Sequence, residues 1–139
     1  MMKRIILFPG AFLLFTAMLL FSGCEKDNLD LLSGSTWDFE NLTTTSSNED
    51  IQTLIALGKA LMTDGTLEFA SGGDYTLDSP TINTETGTWE LVGNNQLIFN
   101  NGTPRTATID EISKKKLVYI ETYLYLDSET YTVKYTWVK

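Results

Sequence analysis

The sequence of 139 residues contains no histidine and a single cysteine, Cys24. Without histidine there is no imidazole base, which excludes Ser-His-Asp and Cys-His catalysis and any zinc site built on histidine. One cysteine allows neither an internal disulfide nor a thiolate metal cluster. The sequence also has no Asp-x-Asp-x-Asp-Gly calcium loop. We therefore expect no catalytic activity, no metal and no cofactor.

Basic residues are scarce as well. The chain has 10 Lys and Arg against 18 Asp and Glu, a formal net charge of -8. Surfaces that bind nucleic acid need clustered Lys and Arg to displace counterions, and 114–116 is the only basic run. Nucleic acid is therefore not an expected partner. The length matches one domain of ordinary size.

The first 24 residues differ in composition from the rest. Lys3 and Arg4 precede an apolar stretch over 5–21, which Pro9 and Gly10 interrupt and which small residues follow. This order is typical of an export signal peptide. The apolar stretch is shorter than the roughly 20 residues of a comfortable membrane span. We therefore expect a cleaved signal peptide over 1–23.

The residues that end this segment, Phe21-Ser22-Gly23-Cys24, resemble the bacterial lipobox. The resemblance implies that Cys24 is acylated and becomes the first residue of the mature lipoprotein. The acyl chains would anchor it at a membrane, because each buried acyl methylene contributes about 0.8 kcal/mol. The alternative is an ordinary signal peptide with a cysteine near its cleavage site. The stretch 22–27 is similar to the start of many lipoproteins of the Bacteroidota. That similarity implies an outer-membrane anchor in the cell envelope, facing the periplasm or exposed at the surface.

The rest of the chain divides into a lipidated tether, 24–33, and one folded domain, 34–139. In the domain, runs rich in Thr, Tyr, Trp, Phe and Val alternate with Gly, Asn, Asp and Ser clusters, which is typical of antiparallel strands. Asn101-Gly102 is the strongest hairpin signal, because a type I′ turn needs positive φ at both central residues. Eight strands are predicted, at 36–42, 66–70, 74–78, 86–92, 96–100, 105–109, 117–126 and 130–138.

One segment of the domain, 48–62, has a helical pattern instead. Ser47 is its predicted N-cap, with Asp50 three residues on. We expect an amphipathic helix that lies across the sheet or over one end of a barrel. Its apolar side chains recur at helical spacing, at Ile51, Leu54, Ile55, Leu61 and Met62.

Eight sequential antiparallel strands most simply form an up-and-down barrel, because closure removes exposed strand edges. Five segments, GSTW at 34–37, DGTLEF at 64–69, GDYTL at 73–77, ETGTWEL at 85–91 and IDEISKKKLVYI at 109–120, resemble the lipocalin-like lipoproteins of the Bacteroidota. The resemblance implies a small eight-stranded barrel of the calycin type. We therefore expect an all-β barrel, with the 48–62 helix inserted between strands 1 and 2. True lipocalins pack a late arginine on the first-strand tryptophan. In this chain no arginine follows Arg105, so Lys134 and Lys139 are the candidates to replace it.

The interior of such a barrel is either filled by side chains or holds one small ligand. On strand 117–126, alternation assigns Val118, Ile120 and Leu124 to the interior. If a cavity is present, its mouth is expected near the 48–62 helix, and its ligand is expected to be small and mainly apolar. The ligand-binding candidates are Trp37, Phe39, Ile51, Leu54, Ile55, Met62, Phe69, Tyr75, Trp89 and Tyr135.

The competing function is binding of another envelope protein. Glu121 suggests that the second face of strand 117–126 meets solvent, and exposed tyrosines mark many recognition surfaces. The partner-face candidates are Tyr119, Glu121, Tyr123 and Tyr125. The favoured interpretation is a membrane-anchored, non-catalytic, lipocalin-like binding module.

Overall fold

A computed structural model describes residues 27–139; the predicted signal peptide and Cys24 lie outside the described residues. The strands are longer than predicted at several ends, most of all the fourth, which begins at Ile82. The elements in chain order are α1 (Asn28–Leu32), β1 (Ser35–Thr44), α2 (Glu49–Met62), β2 (Thr66–Phe69), β3 (Asp74–Ser79), β4 (Ile82–Val92), β5 (Gln96–Asn100), β6 (Pro104–Ile112), β7 (Lys116–Tyr125) and β8 (Glu129–Val138).

The eight strands form one closed barrel in which each strand pairs antiparallel with the next along the chain. β1 closes the barrel by pairing with β8, from Asp38 opposite Val138 to Thr44 opposite Val133. Closure leaves no strand edge of the sheet free. The predicted all-β, up-and-down barrel with a helix between strands 1 and 2 is confirmed.

The barrel has two ends, which we call the base and the mouth. Because the strands run up and down, alternate connections lie at the same end. The base carries the start of β1 and the turns 70–73, 93–95 and 113–115, and the mouth carries the 45–65 connection and the turns 80–81, 101–103 and 126–128.

The short helix α1 lies at the base. Leu32 at its end is completely buried in the core, and Asn28 Nδ2 donates to the Asn94 carbonyl 2.5 Å away, in the turn between β4 and β5. Within the described residues, 28–32 of the predicted tether therefore form a helix that packs on the base of the barrel. A single buried leucine in a five-residue helix leaves too short a pattern to detect in the sequence.

A lysine covers the first-strand tryptophan at the base. Lys139 Nζ lies 4.3 Å from the centroid of the fully buried Trp37 ring and donates to Ser35 Oγ at 3.0 Å. Lys134 instead faces Asp110, at 3.4 Å. Of the two candidates, Lys139 therefore takes the position over the tryptophan and makes a cation–π contact.

Helix α2 is capped and fixed to the β7–β8 hairpin at its start. Asn48 Oδ1 accepts the backbone N–H of Asp50 at 2.9 Å and that of Ile51 at 3.4 Å. The N-cap is thus Asn48, and the prediction of Ser47 is wrong by one residue. Asn48 Nδ2 also donates to Glu129 Oε2 at 3.0 Å, at the start of β8.

The far end of α2 is fixed to the turn between β3 and β4. The Leu61 carbonyl oxygen accepts a hydrogen bond from Ser79 Oγ at 2.5 Å and a second one from Thr81 Oγ1. Between its ends the helix passes over the inward-pointing Leu42 of β1, whose side chain lies beneath Gly58. α2 therefore spans the mouth from β8 to β3.

Candidate functional site

The base half of the interior is filled with large apolar side chains. Phe69 packs edge-on against Trp89, with ring centroids 5.3 Å apart, and Phe39 packs against Trp137 at 5.5 Å. The ligand-binding candidates Trp37, Phe39, Phe69 and Trp89 therefore belong to the packed core. The residues in this half with at most 1 % exposure are Leu32, Trp37, Leu67, Phe69, Leu97, Ala107, Leu117 and Trp137.

The inward face of β7 is the opposite of the predicted one. Tyr119 and Glu121 are each only 5 % exposed, whereas Leu124 is 58 % exposed. Tyr119 pairs directly with Tyr135 of β8, and their rings stack with centroids 5.0 Å apart inside the barrel.

Two predictions about β7 are therefore wrong. Val118, Ile120 and Leu124 point away from the interior, and the partner face of Tyr119, Glu121, Tyr123 and Tyr125 is not an exposed surface. A shift of one residue in the alternation moves every side chain to the other face. Because β7 carries large apolar or aromatic side chains on both faces, the pattern did not show which face is inside.

Three polar residues meet on one side of the mouth half. Tyr75 OH donates to Glu85 Oε1 at 2.6 Å, and Arg105 Nη2 donates to the same oxygen at 2.9 Å. Tyr75 reaches Glu85 because it pairs with Gly87, whose missing side chain leaves room for the ring. The guanidinium also lies 5.6 Å from the Phe99 ring centroid.

Three further polar residues meet on the neighbouring strands β7 and β8. Tyr123 OH donates to Glu121 Oε2, and the hydroxyls of Tyr123 and Tyr135 are 2.8 Å apart. We call these six residues, Tyr75, Glu85, Arg105, Glu121, Tyr123 and Tyr135, the polar cluster.

Burial shapes the protonation of the polar cluster. It raises the pKa of Glu121, which the hydrogen bond from Tyr123 and the positive charge of Arg105 only partly offset. Burial disfavours the Arg105 cation, but Glu121 and Glu85 hold the pKa of Arg105 above its ordinary value. Burial also raises the pKa of Tyr135 to about 12, so this hydroxyl keeps its proton at neutral pH.

Solvent reaches the polar cluster at Arg105 and Glu85. The side chains of these two residues are 34 % and 26 % exposed. Glu121 lies deeper, at 5 % exposure. The cluster is therefore partly exposed on β4 and β6 and buried on β7.

The helix candidates divide between lid and surface. Ile51 is fully buried and Met62 is 8 % exposed, so both pack against the barrel, and Ile55 is half-buried. Leu54 is 47 % exposed and points away from the mouth. Leu54 is therefore not a lid contact, contrary to the prediction.

Two members of the polar cluster, Glu85 and Arg105, were missed in the sequence. Each lies on the inward alternation of its strand: Glu85 two positions before Gly87 and four before Trp89, and Arg105 four before Ile109. The predicted strand 86–92 began after Glu85, whereas Arg105 was the first residue of the predicted strand 105–109. Extending the first strand by one residue and following the alternation of Ile109 back along the second would have identified both.

Other kinds of site find little support in the part of the chain that the structure describes. Four surface clefts of about 220 to 440 Å³ lie on the barrel wall and ends, and these four do not include Glu85, Arg105 or Glu121. Within residues 27–139 no three acidic or other ligating side chains group as a metal site would require. Neither helix described there is long and apolar enough to cross a membrane.

Comparisons with known proteins add no family assignment. No protein-family model matches the chain, and no curated protein matches it.

Proposed function

We propose that the chain is a non-catalytic binding protein of the bacterial cell envelope. Acylated Cys24 holds it at the outer membrane, and the mouth half of the barrel binds a small molecule. The barrel is the framework, the polar cluster is the binding site, and α2 is a lid over part of the mouth.

The observation that carries this proposal is the polar cluster inside the barrel. A purely structural core is most easily filled with apolar side chains, as in the base half, because buried polar and charged groups are costly to desolvate. Here two carboxylates, a guanidinium and three tyrosine hydroxyls converge in the interior. A few convergent polar groups beside apolar walls, with access to solvent, are typical of small-molecule sites.

The packed interior limits the kind of ligand. The base half is filled, so the ligand must be small. In this proposal its apolar contacts come from Ile51, Met62 and the ring of Phe99, which are buried in the protein alone, and its polar contacts come from Glu85 and Arg105. In this proposal the predicted apolar ligand becomes a molecule with an apolar body and one polar end.

The position of the anchor fits an accessible mouth. The chain enters the described body at α1, at the base, and the four Cα–Cα steps from Cys24 to Asn28 span at most about 14 Å. The base would then lie close to the membrane and the mouth on the far side. A ligand arriving from solution would meet the mouth directly.

Binding is tested by native mass spectrometry of the full-length protein. We expect a small adduct on the wild type and on Glu111→Gln, whose side chain is 54 % exposed and pairs with Lys116 outside the barrel. The adduct should be absent from Arg105→Leu, which breaks the cluster. Bare protein throughout, or an adduct that Arg105→Leu keeps, would contradict a site in the cluster.

Anchoring is tested by metabolic acyl labelling in the producing bacterium. Wild-type protein should incorporate label and sediment with membranes, and Cys24→Ser should do neither. A wild type without label would refute the anchor and leave the binding proposal untouched.

A further inference from the structure

The polar cluster holds one more carboxylate than cations. Arg105 and Glu85 form the ion pair at 2.9 Å. Within residues 27–139, Glu121 has no cation at ion-pair distance, and its hydrogen bond from Tyr123 engages only Oε2. A buried carboxylate without a positive partner is costly, so the site favours a group that neutralises it.

Tyrosine residues flank Glu121 on the same face of the sheet. Tyr119 and Tyr135 stack at 5.0 Å, and Tyr123 and Tyr131 stack at 5.7 Å next to them. All four stand on β7 and β8, on the same face as Glu121. The face of an aromatic ring is electronegative and attracts cations, so the outer face of each stacked pair favours a positive group next to Glu121.

Arg105 does not make the polar cluster a binding site for anions. Its guanidinium faces two carboxylates, Glu85 in contact and Glu121 close enough to raise the pKa of Arg105. An incoming anion would meet both negative charges. An incoming cation would meet only the one guanidinium, which Glu85 already neutralises.

We infer that the ligand of the polar cluster carries a positive amine or ammonium group on a short apolar body, with Glu121 as its counter-charge. This inference rests on the proposed binding function. The cation enters past Glu85 and Arg105 and takes the free side of the Glu121 carboxylate. Its apolar body stays near the mouth, under α2.

The test compares three probes of equal length and different charge: hexylamine, hexanol and hexanoate. Each is titrated at neutral pH into the full-length protein, and binding is followed by the intrinsic fluorescence of the interior rings. We expect hexylamine to bind about tenfold more tightly than hexanol, as one tyrosine-lined charge contact provides, and hexanoate to bind least. Glu121→Gln should abolish the preference for amine over alcohol, and the surface control Glu111→Gln should keep it.

The possible results separate the two proposals. Equal binding of hexylamine and hexanol would overturn the cationic ligand and leave a binding site in place. Tighter binding of hexanoate would overturn it in favour of Arg105 as the recognising group. If none of the three probes binds, both the cationic ligand and the proposed binding function are refuted. A preference for amine that Glu121→Gln retains would assign the cation to another part of the protein.

Discussion

Replacing Gly87 by alanine should damage both the barrel and the site. A Cβ at this position would lie 2.8 Å from Cε1 of Tyr75 and closer still to the carbonyl oxygen of Asn100. The ring could move, but the carbonyl belongs to β5, which pairs with β4 at Thr88. Relief therefore requires β4 and β5 to separate locally by about 1 Å, beyond ordinary hydrogen-bond length.

The expected cost follows from this separation. Forced overpacking costs about 1 to 3 kcal/mol, and each ladder hydrogen bond lost adds about 1 kcal/mol. We therefore expect Gly87→Ala to lower the free energy of unfolding by about 3 kcal/mol in urea titrations. Gly72→Ala is the matched control, because its Cβ would meet no atom within 4 Å. Equal stability of the two variants would refute the close packing of Tyr75 and β5 around Gly87.

Three further changes test separate parts of the structure. Leu126 is 77 % exposed and has φ of 48° at the tip of the β7–β8 hairpin, so Leu126→Asn should raise the melting temperature by about 4 °C; an unchanged temperature in a thermal scan would contradict the strain. Burial raises the pKa of Glu121, so there is a pH range in which the folded protein keeps the Glu121 proton and the unfolded chain has lost it. The free energy of unfolding should therefore fall as pH rises through that range. Glu121→Gln should therefore be the more stable protein in urea at neutral pH and match the wild type in acid; a constant difference would exclude titration of Glu121. Asn48→Ala should cost about 1 kcal/mol through the lost cap, and no change in urea midpoint would argue against that cap.

The barrel itself was predictable because its signals are local and repeated. Turn residues such as Asn101-Gly102 separate strands whose aromatic residues alternate, and α2 has a clear helical spacing over 48–62. Each signal depends on a few neighbouring residues. Their order along the chain then fixes an up-and-down topology, since each strand pairs with the next.

The site was only partly predictable, because it depends on which face of a strand is inside. β7 presents Tyr119 and Glu121 on one face and Val118 and Ile120 on the other, and hydrophobicity alone favours the wrong one. Glu121 is acceptable inside only because Tyr123 from its own strand donates to it and Arg105 from β6 faces it. A partner on another strand cannot be recognised before the strands are paired.

The most direct test of the account is a ¹H–¹⁵N spectrum of the protein with and without hexylamine. Arg105 is one of only two arginines in the chain, and its buried Nε–H has no hydrogen-bond partner within residues 27–139, so its signal reports on the cluster. Arg105→Lys identifies that signal. The indole N–H of Trp37, at the base, is the internal reference. If the site lies in the mouth half, hexylamine should shift the Arg105 signal and leave the Trp37 signal in place. An Arg105 signal that does not shift at saturating hexylamine would contradict a site in the mouth half.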